Sequence, residues 1–131
     1  MFIDASALVA MLTREPDADH IALKMRGAKS LVTSPLSRYE AVLAIARIRN
    51  IDIDQATQIL NHFLAHYGIH TSHITEDIGN AAIMAFDRYG KGRHKAALNL
   101  GDCFSYAFAR INQMTILCKG NDFPETDARI A

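Results

Sequence analysis

Short apolar runs alternate with longer helical patterns along this chain, and that alternation limits its fold more than any other feature. Met1-Phe2-Ile3, Ser30-Leu31-Val32-Thr33, Ile69-His70-Thr71 and Thr115-Ile116-Leu117-Cys118 read as four short strands. Strand–helix alternation builds a mostly parallel sheet with helices on both faces. The expected fold is α/β, a three-layer α/β/α sandwich around a central sheet of four to five short strands. The 131 residues suffice for one domain, 1–131, with a real core.

The helices announce themselves by caps and spacing. Asp4 or Ser6 starts a helix over Ala5–Leu12. Glu15-Pro16-Asp17-Ala18 opens a second, with Pro16 suited to a first helical position, and Gly27 ends it after Arg26. Ser34-Pro35 opens a third, through Asn50, with Leu36, Tyr39, Val42, Leu43 and Ala46 as its core face. Asp52-Ile53-Asp54 caps a fourth, from about Gln55 to Tyr67, with a stripe of Ile59, Leu60, Phe63 and Leu64. Thr75 caps a fifth, through Tyr89, with Ile78, Ala81, Ala82, Ala85 and Phe86 buried. The break at Asn99-Leu100-Gly101 runs into a sixth, from Asp102 to about Asn112, with Phe104, Ala107, Phe108 and Ile111 at helical spacing. The tail from Thr126 to Ala131 reads as one last short strand or a surface segment.

Acidic residues recur at the junctions of these elements. Asp4 follows the first strand, Glu40 lies beside the core face of the third helix, Asp102 sits on a first helical turn, and Asp122 follows the fourth strand. Singly, each has an ordinary role: a cap, a solvated glutamate, or an acid favoured by the helix dipole. Together they belong to strand ends and helix starts that meet in one crevice of an α/β sheet. Converging carboxylates repel and raise one another's pKa unless a cation joins them. Mg²⁺ and Mn²⁺ favour such hard oxygen donors, and one or two ions there can activate water and neutralise charge on a phosphodiester. The residues therefore point to a small metal-dependent nuclease. Ser6 offers a hydroxyl to hold Asp4 or a water beside it.

Charge fits that reading. Lys and Arg number 14, Asp and Glu 14, for a formal net charge of zero. A uniformly basic nucleic-acid binder is excluded, but a local patch is not. The most basic segment is Arg88, Lys91, Arg93, His94 and Lys95 around Gly90 and Gly92. A glycine-containing basic loop can approach a phosphate backbone, so Lys91, Arg93, His94 and Lys95 are candidate RNA contacts. His62 and His66 stand four residues apart but lack the glutamate of the zinc-protease pattern, which leaves them as surface or partly buried histidines, like His70 and His73. Cys103 and Cys118 each lie in an apolar run and read as buried free thiols. No leader pattern precedes Phe2-Ile3-Asp4, and no apolar stretch reaches the ~20 residues of a membrane span. A cytoplasmic protein without a membrane partner is the simplest expectation.

With these residues in hand, the chain resembles the PIN-domain ribonucleases, and among them the VapC-type toxins of type II toxin–antitoxin systems. The resemblance is carried by Phe2-Ile3-Asp4-Ala5-Ser6 through Ala10, by Ser34-Pro35 through Glu40, by Tyr89-Gly90-Lys91-Gly92-Arg93-His94, by Ala96 through Cys103, and by Lys119-Gly120-Asn121-Asp122-Phe123 with Thr126-Asp127. It spans essentially the whole chain and is most specific from Tyr89 to Tyr106. It implies a PIN-like fold with Asp4, Glu40, Asp102 and Asp122 as catalytic, metal-holding acids. Ser6, Asn99 and Asn121 would support them. Two adjacent aspartates are common in the family where this chain has Asn121-Asp122. The resemblance further implies Mg²⁺- or Mn²⁺-dependent endoribonuclease cleavage of structured RNA, a transfer RNA or a ribosomal RNA loop. Its other implications are a homodimer and inhibition by a small VapB-type antitoxin, through which alone the protein would reach DNA.

Three other readings use the same residues. A receiver-type signalling domain would explain Lys119 after a strand, but it needs an acidic pair after strand one and a phosphorylatable aspartate after strand three, where Ser72 stands. A haloacid-dehalogenase-type phosphatase needs Asp-x-Asp, where this chain has Asp4-Ala5-Ser6. A catalytically silent antitoxin-binding partner is disfavoured because all four acidic positions are filled.

Overall fold

A computed structural model describes residues 1–131. Its elements run β1 (Phe2–Ile3), α1 (Ala5–Leu12), α2 (Ala18–Arg26), β2 (Leu31–Thr33), α3 (Pro35–Arg49), α4 (Ile53–Tyr67), β3 (Ile69–Thr71), α5 (Glu76–Tyr89), α6 (Leu100–Ile111), β4 (Ile116–Leu117) and a short 3₁₀ turn, Phe123–Glu125. The four strands form one sheet in the order β3-β2-β1-β4, and every pairing is parallel. The chain moves outward from β1 to β3 and then returns to lay β4 on the other side of β1. That reversal opens a crevice at the carboxyl ends of β1 and β4, where α/β sheets bind ligands.

Successive strand residues point to opposite faces, and β1 shows the consequence. Ile3 joins a core with Leu8, Ile21, Ile45, Leu60 and Leu64, so α1 to α4 supply one layer. Phe2 faces the other core with Ile78, Ala82, Tyr106 and Ile116 from α5, α6 and β4, and stacks on Phe108 at 4.8 Å between ring centroids. This is the expected three-layer sandwich.

The caps do what the sequence asks of them. Ser34 accepts from Ser37 N–H ahead of Pro35, Asp52 and Gln55 close a capping box, and Thr75 accepts from Ile78 N–H. Gly68 ends α4 at φ 63°, in the left-handed region that glycine enters without strain. The tail adds a single parallel bridge, Ile116 to Ile130, rather than a full strand. Asp127 anchors it by accepting from Tyr106 Oη at 2.5 Å and Arg110 Nη1 at 2.9 Å. No helix is long and apolar enough to cross a membrane.

Several expectations need correction. α2 begins at Ala18, with Glu15 to Asp17 in a turn closed by Ala18 N–H to Glu15 O, so Pro16 is not its first residue. The fourth helix starts at Ile53, because its cap is Asp52 itself, and α6 starts at Leu100, because its cap is Asn99. Tyr39 and Leu43 lie exposed on α3, whose buried face is Ser37, Ala41, Ile45 and Ala46. Apolar residues surround this helix, and the small side chains take the tight face. Phe86 and Ile111 are likewise exposed, and Tyr89 takes the buried place on α5.

Candidate active site

Asp4 ends β1 and caps α1 at the crevice, with only 4% of its surface exposed. Its Oδ2 accepts from the Ser6 backbone N–H at 2.9 Å and Ser6 Oγ at 2.6 Å, and its Oδ1 accepts from Ser105 Oγ at 2.7 Å. Ser6 Oγ in turn accepts from the Lys119 backbone N–H at 3.0 Å, tying the end of β1 to the loop after β4. Three donors therefore fix one carboxylate at a strand end.

Asp102 arrives on the first turn of α6. A reciprocal capping box holds it there: Asn99 N–H donates to Asp102 Oδ2 at 2.9 Å, and Asp102 N–H donates to Asn99 Oδ1 at 3.0 Å. Asn99 thus positions Asp102 by forming the start of the helix. Glu40 projects from α3, half-buried, and its carboxylate rests on the backbone of Gly101. Asp4, Glu40 and Asp102 line one open cleft of about 470 Å³ with Ser6, Asn99, Arg47 and Lys119.

The acids lie within one another's electrostatic field. Burial, then the charges of Asp4 and Asp102, push Glu40 up to about 7. Burial, then Asp4 and Asp122, raise Asp102 to about 6 against the opposing Asn99 hydrogen bond. No basic side chain forms a salt bridge with Asp4, Glu40, Asp102 or Asp122. The cleft's Lys119 amine is paired with Glu15 instead. The donor set is thus hard oxygen, unneutralised and mutually repelling, which fits a divalent cation of the Mg²⁺ class. As they stand, no three His, Cys, Asp or Glu side chains are closed around a single point.

The other expected site residues fall elsewhere. Asp122 and Asn121 are exposed and do not line the cleft, although the Asp122 charge is felt at Asp102. Lys91, Arg93, His94 and Lys95 occupy the loop between α5 and α6 and do not line the cleft either. Arg93 pairs with Asp87 at 2.9 Å, Lys95 with Glu125, and His94 Nδ1 accepts from Ala96 N–H at 3.1 Å. Lys91 has no ionic partner and is exposed. The exposed His62 and His66 border a separate surface hollow with Phe63 and Gln58 and do not line the acidic cleft. Both cysteines are free, and burial, aided by Asp4 or Asp102, pushes Cys118 up to about 12 and Cys103 to about 11. They are inert thiols at neutral pH.

Sequence reasoning missed four contributors: Arg47, Lys119, Gly101 and Ser105. Arg47 lies seven residues after Glu40, two helical turns on the same side, and that spacing could have flagged it. Ser105 lies one turn after Asp102, but no sequence signal pairs it with Asp4.

The PIN-domain family model matches residues 1–129. A VapC ribonuclease of Rhizobium meliloti is 38% identical, covering 96% of this chain and 97% of its own. Ribonuclease VapC30 of Mycobacterium tuberculosis is 40% identical, over 97% of this chain and 95% of its own. Among solved structures, Mycobacterium tuberculosis VapC20, described as a sarcin–ricin loop cleaving toxin, superposes with a TM-score of 0.77 at 15% identity, covering 99% and 97% of the two chains. A toxin–antitoxin complex from Klebsiella pneumoniae gives a TM-score of 0.71 at 16% identity, over 99% and 95%. The chain belongs to the PIN-domain family and, within it, to the VapC ribonucleases.

Proposed function

We propose that this protein is a metal-dependent endoribonuclease, the toxin of a toxin–antitoxin pair, hydrolysing phosphodiester bonds in structured RNA such as tRNA or rRNA. The observation that carries the proposal is the convergence of Asp4, Glu40 and Asp102 in one cleft with no cationic partner. Kinship with VapC ribonucleases over nearly the whole chain supports it.

Asp4, Glu40 and Asp102 would hold Mg²⁺ or Mn²⁺, with Asp122 contributing charge from the rim. When bound, the ion supplies positive charge against the developing phosphate charge and acidifies water. The chain supplies the rest. Arg47 and Lys119 line the cleft and would bind phosphates flanking the scissile bond. The Lys119 amine must exchange Glu15 for phosphate, which an exposed ion pair allows at small cost. Lys91, Arg93, His94 and Lys95 would contact RNA outside the cleft, led by the unpaired Lys91.

A VapB-type antitoxin would neutralise the toxin and carry any DNA contact, and the toxin would act as a homodimer in the cytoplasm, where such RNA substrates would be met. Mapping new RNA 5′ ends in cells expressing the chain without antitoxin tests the substrate class. Discrete new ends in tRNA or rRNA, absent with Asp4→Asn, are expected. Ends that persist with Asp4→Asn, or no new ends, would count against the proposal.

A further inference from the structure

Beneath the acidic cleft runs a chain of buried hydroxyls. Ser34, Ser37 and Ser105 are each at most 2% exposed. Ser34 Oγ lies 3.1 Å from Ser37 Oγ, Ser37 Oγ lies 3.5 Å from Ser105 Oγ, and Ser105 Oγ donates to Asp4 Oδ1 at 2.7 Å. Each hydroxyl has one proton to give. Asp4 accepts at Oδ1, so the Ser105 proton is committed there. Ser105 Oγ is left as an acceptor facing Ser37 Oγ across a long 3.5 Å contact, with Ser34 Oγ on the other side of Ser37 at 3.1 Å. Ser34 Oγ accepts from Ser37 N–H at 3.0 Å, which completes the chain at a helix cap. The directed bonds are Ser105 Oγ to Asp4 and Ser37 N–H to Ser34, and the Ser37 hydroxyl lies between Ser34 and Ser105.

The placement of the two middle serines is specific. Ser37 lies three residues before Glu40 on α3, and Ser105 three residues after Asp102 on α6. Their contact joins the two helices one turn from the two acids those helices deliver, while Ser105 reaches the third acid directly. Buried helical serines commonly return their proton to a carbonyl of the preceding turn; here Ser105 donates across to Asp4, and Ser37 lies between its own helix cap, Ser34, and Ser105.

We propose that Ser105 is a positioning residue for Asp4, with Ser37 acting through it, so that this serine pair fixes the mutual placement of the three cleft carboxylates. Ser6 orients Asp4 from the cleft side and is open to solvent exchange; Ser105 fixes it from the buried side. The inference rests on the proposed role of Asp4 in holding a divalent cation. The alternative is a pair of satisfied core serines with no effect on the cleft.

Mn²⁺ binding separates the two, followed by the electron paramagnetic resonance of free Mn²⁺ without RNA. Ser105→Ala is expected to weaken binding about 10- to 100-fold, the range for losing a group that orients a metal ligand. Ser37→Ala should weaken it less, and the double variant no more than Ser105→Ala alone, because one acts through the other. Thermal unfolding in chelator reports whether each variant is folded. Unchanged Mn²⁺ affinity in Ser105→Ala, while Asp4→Asn weakens it, overturns the positioning role. Unchanged affinity in Asp4→Asn overturns the metal reading itself, and the inference with it. If Ser105→Ala does not fold, Ser37→Ala decides: weakened Mn²⁺ binding supports the proposal, and wild-type binding overturns it.

Discussion

The Glu40 carboxylate rests on the backbone of Gly101: a Cβ at position 101 would stand 2.1 Å from Glu40 Oε1 and 2.3 Å from Oε2. Gly101 is therefore what allows α3 to bring its acid against the start of α6. The obstructed atoms are the far end of a flexible side chain, so a methyl there would displace the carboxylate rather than break the fold.

Gly101→Ala is accordingly expected to separate stability from activity. Alanine in place of a helical glycine gains up to about 1 kcal/mol. Displacing Glu40 by about an ångström should lower cleavage on the order of 10²-fold. Thermal unfolding and cleavage rates on the same preparation check this. Wild-type cleavage by Gly101→Ala would show that the position of Glu40 does not matter.

The raised carboxylates should cost the metal-free protein stability as pH rises from about 4 to about 7. Glu40 is pushed from 4.5 to about 7 and Asp102 from 3.8 to about 6. Between these values the folded state binds more protons than the unfolded state, so stability falls as pH rises. The stabilising contribution is full below about pH 4 and lost by about pH 7. Unfolding midpoints in chelator should therefore decline from these two groups across that window. Glu40→Gln should flatten the decline and raise the midpoint at pH 8. Mn²⁺ should raise the wild-type midpoint more at pH 8 than at pH 5, because protonated carboxylates bind no cation. A metal-induced shift equal at both pH values would contradict the shared-field account.

RNA binding should report which cations meet phosphate. Arg47 lines the cleft and has no ion-pair partner, so Arg47→Ala should weaken binding across sequences and reduce the salt slope by about one. Replacing both Arg93 and Lys95 should change the slope less per charge removed, because Asp87 and Glu125 already neutralise them. A larger slope change from the loop pair than from Arg47→Ala would relocate the RNA path to the loop between α5 and α6.

What the sequence disclosed follows from which signals are local. Strand–helix alternation, the caps Asp4, Ser34, Asp52 and Thr75, and the acids at element junctions are written in neighbouring residues, and all are found in the fold. The face of α3 was not legible, because Tyr39, Leu43 and Ile48 are apolar yet exposed while Ser37 and Ala41 are buried. There, close helix packing overrides apolar periodicity. Asp4, Glu40 and Asp102 converge as expected, but Asp122 stays at the rim, where a loop after β4 carries no periodicity to fix its direction. Gly101 and Ser105 act on Glu40 and Asp4 across 61 and 101 positions of chain, a relation only the folded sheet creates.

The central claim is that the Asp4–Glu40–Asp102 cleft cleaves RNA with a divalent cation. Its most direct test is cleavage of end-labelled structured RNA by purified, antitoxin-free protein in Mg²⁺, in Mn²⁺ and in chelator, beside Asp102→Asn. That variant keeps the helix cap, because an amide oxygen can still accept from Asn99 N–H. The account predicts discrete, chelator-sensitive cuts by the wild type and a loss on the order of 10²-fold or more in the folded variant. Cleavage that survives chelator, or that Asp102→Asn retains at the wild-type rate, would contradict it.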